Sequence, residues 1–301
     1  MKNFKYKKLA VALAIGVAAS TSVLVNDVTS AAQNDANVSV NVSVSQPTKI
    51  INWYKGSDSD IIADGIGKSG GKGMSMARMA AVMDAQRNLL GIIKGVQIDS
   101  DTLMEDLIIS SDVVKRNISG LLRGAQIIEE YQRNDDEYYV KMRVPLYGST
   151  ESLAAAVMPE VRKNTEKTPF PTTDNSELTE AEVQEIRDAS YTGVVINADG
   201  IDPTFSPVIY DTEGRAVYGV ENLDYDKVVA DGMVNYTESV EGAIEDGRAG
   251  NNPLIINAVG TTGGSNNTNV NAVVSVEDAN KILVANESTG ILEDTSVVFV
   301  R

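Results

Sequence analysis

Apolar and polar positions follow two rhythms in the first half of the chain. Ile50, Ile51 and Trp53, then Ile61, Ile62 and Ile66 beyond a Gly-Ser-Asp cluster, read as a strand with an interruption that ends in a glycine-rich turn. Over Met74 to Ile93 the period changes. Ala77, Ala80, Ala81, Met83, Leu89, Leu90 and Ile93 recur at helical spacing without a proline, predicting a helix whose small residues let it lie close against a sheet. Val96 to Arg123 fits several periods and leaves helix and short strands unseparated. Gln126 to Arg133 and Glu137 to Val144 then predict a hairpin turning at Asn134, Asp135 and Asp136. Val140, Met142 and Val144 alternate with Tyr139, Lys141 and Arg143, and Pro145 closes the second strand.

The second half repeats the theme after a polar interlude. Ser149 to Tyr191 holds a short Ala-rich helix, a Thr, Pro and Asn stretch from Lys163 to Ser176, and a second short helix opened by Thr179 and Glu182 as a capping box. Gly193 to Ala198 is apolar. Pro207 to Gly219 predicts a hairpin turning at Asp211 to Gly214, and Asp226 to Asp246 a helix in which Gly232 is a break point. Leu254 to Val259 and Ala272 to Ser275 are strands around a polar loop from Gly260 to Asn269. Ser275 and Asp278 cap a last helix before a strand at Ser296 to Val300. The expected class is α+β: two small domains, residues 49–148 and 192–301, each an antiparallel sheet with hairpins covered by one main helix, joined by a linker with short helices at 149–191.

The amino terminus changes where such a protein is expected to work. Lys2, Lys5, Lys7 and Lys8 precede an apolar stretch from Leu9 to Val25 and small residues at Ser30, Ala31 and Ala32, the layout of a secretory signal cut after Ala32. Residues 33–48, with Val38, Val40, Val42 and Val44 alternating with polar residues, are expected to be a flexible leader. The product is then exported, and periplasmic or outer-membrane-associated. Among 301 residues, 42 are acidic and 26 basic. Removing residues 1–32 takes four lysines and one aspartate, leaving 22 basic and 41 acidic side chains and a net charge near −19. That field repels phosphate backbones, so no nucleic-acid partner is expected.

Cysteine and histidine are both missing from the chain, which removes disulfides, thiolate nucleophiles, imidazole bases and a lipidated cysteine anchor. Three motifs remain to be weighed. Gly65, Gly67 and Gly70 match the dinucleotide pattern G-x-G-x-x-G, but Gly71, Lys72 and Gly73 intervene before the helix, Asp99 lies beyond the usual acidic position, and a hairpin follows in place of a parallel crossover. Gly67, Lys68 and Ser69 imitate a phosphate loop whose first glycine is Ile62 here. Asp58 with Asp60, and Asp99 with Asp101, lack the remaining ligands of a calcium loop. No catalytic, metal or cofactor residue is assigned, and the chain is expected not to be an enzyme. Gly65, Gly67, Gly70 and Gly73 stay as a candidate ligand or partner loop. Tyr138, Tyr139, Tyr210 and Tyr218 read as cross-strand packing residues, and Trp53 as a core or interface residue.

Asp64 to Ser69, the helix Ala77 to Leu90 with Ala80, Ala85 and Arg87, the step Gly95 to Ile98, and the closing strand Tyr139 to Leu146 together resemble the LPP-twenty group of envelope lipoproteins, whose relatives include the flagellar proteins FlgP and FlgT. The likeness spans about Ile50 to Tyr147. Ser206 to Tyr210, Gly214, Tyr218, Gly219 and Asn252 to Leu254 resemble a carboxy-terminal module of longer members. The resemblance implies a non-catalytic envelope scaffold that self-associates or binds protein partners, flagellar in some relatives. Without the acylated cysteine, no direct lipid anchor is expected. The alternative is a binding module for a small molecule, cell-wall glycan or cation, with Gly65–Gly73 and Gly260–Asn269 as rims.

Overall fold

The computed structural model describes residues 49–53, 58–163, 166–173, 177–264 and 268–301. The signal and leader expected at 1–48 lie outside them. Strand β1 (Lys49–Asn52) pairs antiparallel with β2 (Asp60–Lys68), which pairs with β4 (Glu137–Pro145), which in turn pairs with β3 (Gln126–Gln132). Helix α1 (Met74–Lys94) lies over β2 and β4 through a ridge of Ala77, Ala81, Ala85, Leu89 and Ile93, all fully buried. The ridge is small because the strand beneath it is smaller. A Cβ at Gly65 or Gly67 would strike the backbone of Ala77, Ala81 and Ala85, so the two glycines let helix and sheet approach.

Helix α1 also finishes the sheet where β1 stops. Asp84 accepts from the Ile66 amide at 3.2 Å and Asn88 donates to the Asp64 carbonyl at 2.8 Å. One polar helix row thus occupies the part of the β2 edge that β1 leaves bare. The stretch with mixed periodicity resolves into α2 (Met104–Ser110) and α3 (Asp112–Arg123), whose buried stripe is Val114, Ile118 and Leu122. Ser111 ends the first and caps the second, its Oγ accepting from the Val114 amide at 3.3 Å. Helix α4 (Leu153–Val161) packs on α3, and α5 (Glu180–Ala189) on the last helix, α8 (Val276–Thr289). Thr179 and Glu182 form the reciprocal capping box expected of them.

The α+β class holds across the described residues, but one sheet corrects the expectation that the second half is antiparallel. Strands β5 (Gly193–Asn197), β8 (Asn235–Thr237), β9 (Pro253–Asn257) and β12 (Val297–Val300) form a sheet ordered β8-β12-β5-β9 in which every pair is parallel. The reason is two-sided burial. Val194, Ile196, Val297 and Phe299 point into the main core, while Val195, Val298 and Val300 meet Ala243 and Val240 of helix α7 (Val240–Asp246). The expected hairpin does form, as β6 (Ile209–Asp211) and β7 (Ala216–Tyr218). It sits in a mixed sheet ordered β10-β11-β6-β7, with β10 at Gly260–Thr262 and β11 at Asn271–Val274.

A second correction concerns the helix expected over Asp226–Asp246. Helix α6 (Tyr225–Asp231) ends at Gly232, whose φ of 73° suits glycine, and β8 intervenes before α7. Gly232 also abuts the Tyr147 ring, where a Cβ would collide. Arg248 holds this reversal together. Its guanidinium donates to the carbonyls of Thr295 (2.6 Å), Asp231 (2.8 Å) and Gly232 (2.6 Å) and to Oδ1 of Asn235 (2.9 Å).

The hydrophobic core is continuous from the first sheet to the parallel one. Trp53 meets Phe205 edge-on at 5.3 Å and Tyr236 at 6.2 Å, and Tyr236 meets Phe299 at 5.9 Å. Tyr147 joins the same group through Phe205. Burial drives the phenols of Tyr147, Tyr218 and Tyr236 well above their ordinary pKa, so they stay neutral and act as packing residues with a polar tip. Tyr218 donates to the Met233 carbonyl at 2.6 Å, and Tyr236 to that of Thr204 at 3.2 Å.

Candidate functional site

Among the described strands that end a sheet, β3 is the longest. Its seven residues are all exposed, while the other edge strands, β1, β7, β8, β9 and β10, run three to five residues. Strand β3 is built by its hairpin partner. The turn is folded by Asn134, whose Oδ1 accepts from the amides of Asp136 and Glu137 at 2.9 Å each, and Tyr131 stacks on Tyr139 across the ladder at 4.7 Å.

Charges are the usual guard of such an edge, and here they are engaged within the molecule. Glu129 accepts from Lys141 at 2.8 Å, and Glu130 takes a fork from Arg78 at 2.7 and 3.2 Å. The Glu129 hydrogen bond raises the Lys141 pKa, and that of Glu130 raises Arg78, so both cations stay charged beside their carboxylates. What remains is two glutamines at the strand's ends and three apolar side chains between them. Ile127, Ile128 and Tyr131 are 37%, 45% and 46% exposed. The ladder carries a bulge between Ile127 and Glu129 and is regular from Glu129 to Gln132. On the same face as Lys141, Tyr139 is held neutral, first by burial and then by the Asp64 carboxylate that hydrogen-bonds its hydroxyl.

The candidate glycine loop is divided by the fold. Gly65 and Gly67 lie inside β2 beneath α1 and face no solvent-filled space. Gly70, Gly71 and Gly73 form an exposed turn with φ of 53°, 77° and 89°. That turn is tied to the hairpin: the Ser69 hydroxyl and the Gly70 amide both donate to Asp136 Oδ1, and the Ser69 amide donates to the Asp136 carbonyl at 2.8 Å. At the second candidate rim, Gly264 rests against Ser100 and Asp101, where a Cβ would collide. Residues 265–267 of that rim lie outside the described residues. Asp99 folds its own turn, accepting from the amides of Asp101 and Thr102 at 2.9 Å each, and Asp60 accepts from Asn52 at 2.6 Å. Among the described residues no group of three or more carboxylates could hold a metal ion.

Residues 193–301, about a third of the chain, match the model of a family described as the second domain of Treponema pallidum Tp0624. The match opens at Gly193, the first residue of β5. No curated protein matches the chain.

Proposed function

We propose that the protein is a non-catalytic assembly module that self-associates through the outer edge of β3. The observation that carries the reading is that edge itself: seven exposed residues, of which Ile127, Ile128 and Tyr131 are apolar and the two carboxylates are already paired inside the molecule. A second copy pairing its own β3 antiparallel would satisfy the backbone groups of both and cover Ile128 and Tyr131 of both. The likeness to the LPP-twenty group supports the reading from the sequence side, and with it a place in the cell envelope after cleavage near Ala32. A flagellar role belongs to the same proposal.

Analytical ultracentrifugation tests it. The exported protein is expected to sediment as a dimer or larger, and Ile128→Lys with Tyr131→Lys to return it to a monomer of unchanged helix content. A monomer at every concentration, or an oligomer indifferent to both lysines, would sink the proposal. Mass spectrometry of the protein recovered from fractionated cells reads the cleavage site, which is expected after Ala32.

A further inference from the structure

Elsewhere in the molecule, α3, α4 and the end of β4 enclose a cleft of about 520 Å³. Strand β3 begins opposite Arg143, so β4 runs on past it through Val144 and Pro145, and α3 and α4 stand apart over that extension. The helices are tied behind the cleft by Asn117, which donates to the Ala156 carbonyl at 3.0 Å. The lining is mixed: Leu121, Ala125, Pro145 and Ala155 form its apolar part, and Gln126 and the Glu151 carboxylate belong to its polar part. Two guanidinium groups line it, those of Arg116 and Arg143.

These arginines differ from others in the chain. Arg248 and Arg215 spend their donors on the carbonyls and carboxamides around them, and Arg215 also on Asp211. Arg116 makes no hydrogen bond or ion pair among the described residues. Arg143 turns Nη1 toward Asp60 at 3.8 Å, beyond hydrogen-bond reach, and its Nε is buried without an acceptor. A buried donor left unmade is costly, and a bound acceptor removes the cost. The local charge agrees. Lys115, Arg116 and Arg123 outnumber Asp112 on this surface of α3, in a chain of net charge −16.

Gly120 lines the same cleft. It lies inside α3, where glycine weakens a helix relative to alanine, yet a Cβ there would meet nothing within 4 Å. Neither backbone conformation nor packing asks for a glycine. The missing side chain leaves the cleft open.

We infer that this cleft binds a small molecule with an oxyanion head, phosphate or carboxylate, on a short apolar body. The head lies between Arg116 and Arg143, whose forked donors match carboxylate and phosphate oxygens, and the body lies against Leu121, Ala125 and Ala155. The lining takes in Gln126 at the start of β3 but neither Ile128 nor Tyr131, so the lysine variants of the edge leave the cleft's own residues in place.

Titration calorimetry on the full chain with phenyl phosphate, benzoate and inorganic phosphate tests the assignment. At least one aryl anion is expected to bind more tightly than inorganic phosphate. Arg116→Gln and Arg143→Gln are each expected to weaken it roughly tenfold or more. Gly120→Leu, whose Cβ would meet nothing within 4 Å, is expected to abolish binding while the melting temperature holds or rises, which keeps the test decisive if Arg143→Gln fails to fold. No binding of either aryl anion, equal binding of inorganic phosphate, or binding that survives Gly120→Leu overturns the inference.

Discussion

The sheet β1-β2-β4-β3 and the sheet β8-β12-β5-β9 meet in one core but are stabilised in opposite ways. In the first, strands alternate, one long helix covers one face, and contact is made through the smallest residues available: Gly65 and Gly67 against Ala77, Ala81 and Ala85. In the second, the central strands β5 and β12 are apolar at nearly every position because both their faces are covered, and the surrounding loops are fixed by one guanidinium. The antiparallel sheet keeps a long bare edge at β3, whereas the parallel sheet ends in strands of three and five residues. Close backbone packing therefore coexists with a long exposed edge, and two-sided burial with short ends. The longer open edge lies in the first region and the more enclosed sheet in the second.

The sharpest way to break the comparison is to alter the close approach. Gly65→Val or Gly67→Val should drive α1 off the sheet and destabilise by about 3 kcal/mol or more, read by chemical denaturation. If either variant folds with wild-type stability, the description of that interface is wrong. Next comes Arg248→Met, which keeps much of the volume and removes the four guanidinium hydrogen bonds around the Gly232 reversal. A loss of about 3 kcal/mol is expected, with hydrogen exchange rising first at β8 and α6. Exchange rising instead at β2 would show that Arg248 does not act locally.

The smallest effect lies between the two sheets, at the capping box of α5. Thr179→Ala should cost about 1 kcal/mol at neutral pH through the lost cap. The Thr179 hydroxyl and then its amide hold the Glu182 carboxyl below its ordinary pKa, so the folded state favours the ionised form. The Glu182 contribution is then fully present above the unfolded value, about pH 4.3, and fades as pH falls through the lowered folded value. The gap between wild type and Thr179→Ala is expected to narrow on acidification. A gap constant from pH 7 to pH 3 would exclude Glu182 from the box in solution.

Much of the first region was legible because alternation and helical period are local signals. The helix over Met74 to Ile93 and the hairpin turning at Asn134 to Asp136 appear where the pattern places them, with Ser69 and Asp136 joining two turns that no spacing rule links. The parallel sheet was harder. Val194 to Ile196 and Val297 to Val300 are unbroken apolar runs, the signature of strands covered on both sides, and that absence of alternation was the available clue to direction. Strand β8 was hidden because Val234, Tyr236 and Thr237 fall within helical reach of α6 and α7, and only Gly232 marked the reversal. The cleft between α3 and α4 gave a faint signal, a glycine within a basic helix of an acidic chain. Arg143 joins it from another element, and tertiary structure alone supplies that meeting.

Trp53 is the chain's single tryptophan, and it lies against Phe205 and Tyr236 where the two sheets share their core. Its fluorescence therefore comes from the seam alone. Any parting of the halves admits water to the indole and shifts the emission to the red, so the molecule carries a native optical gauge of its own cohesion.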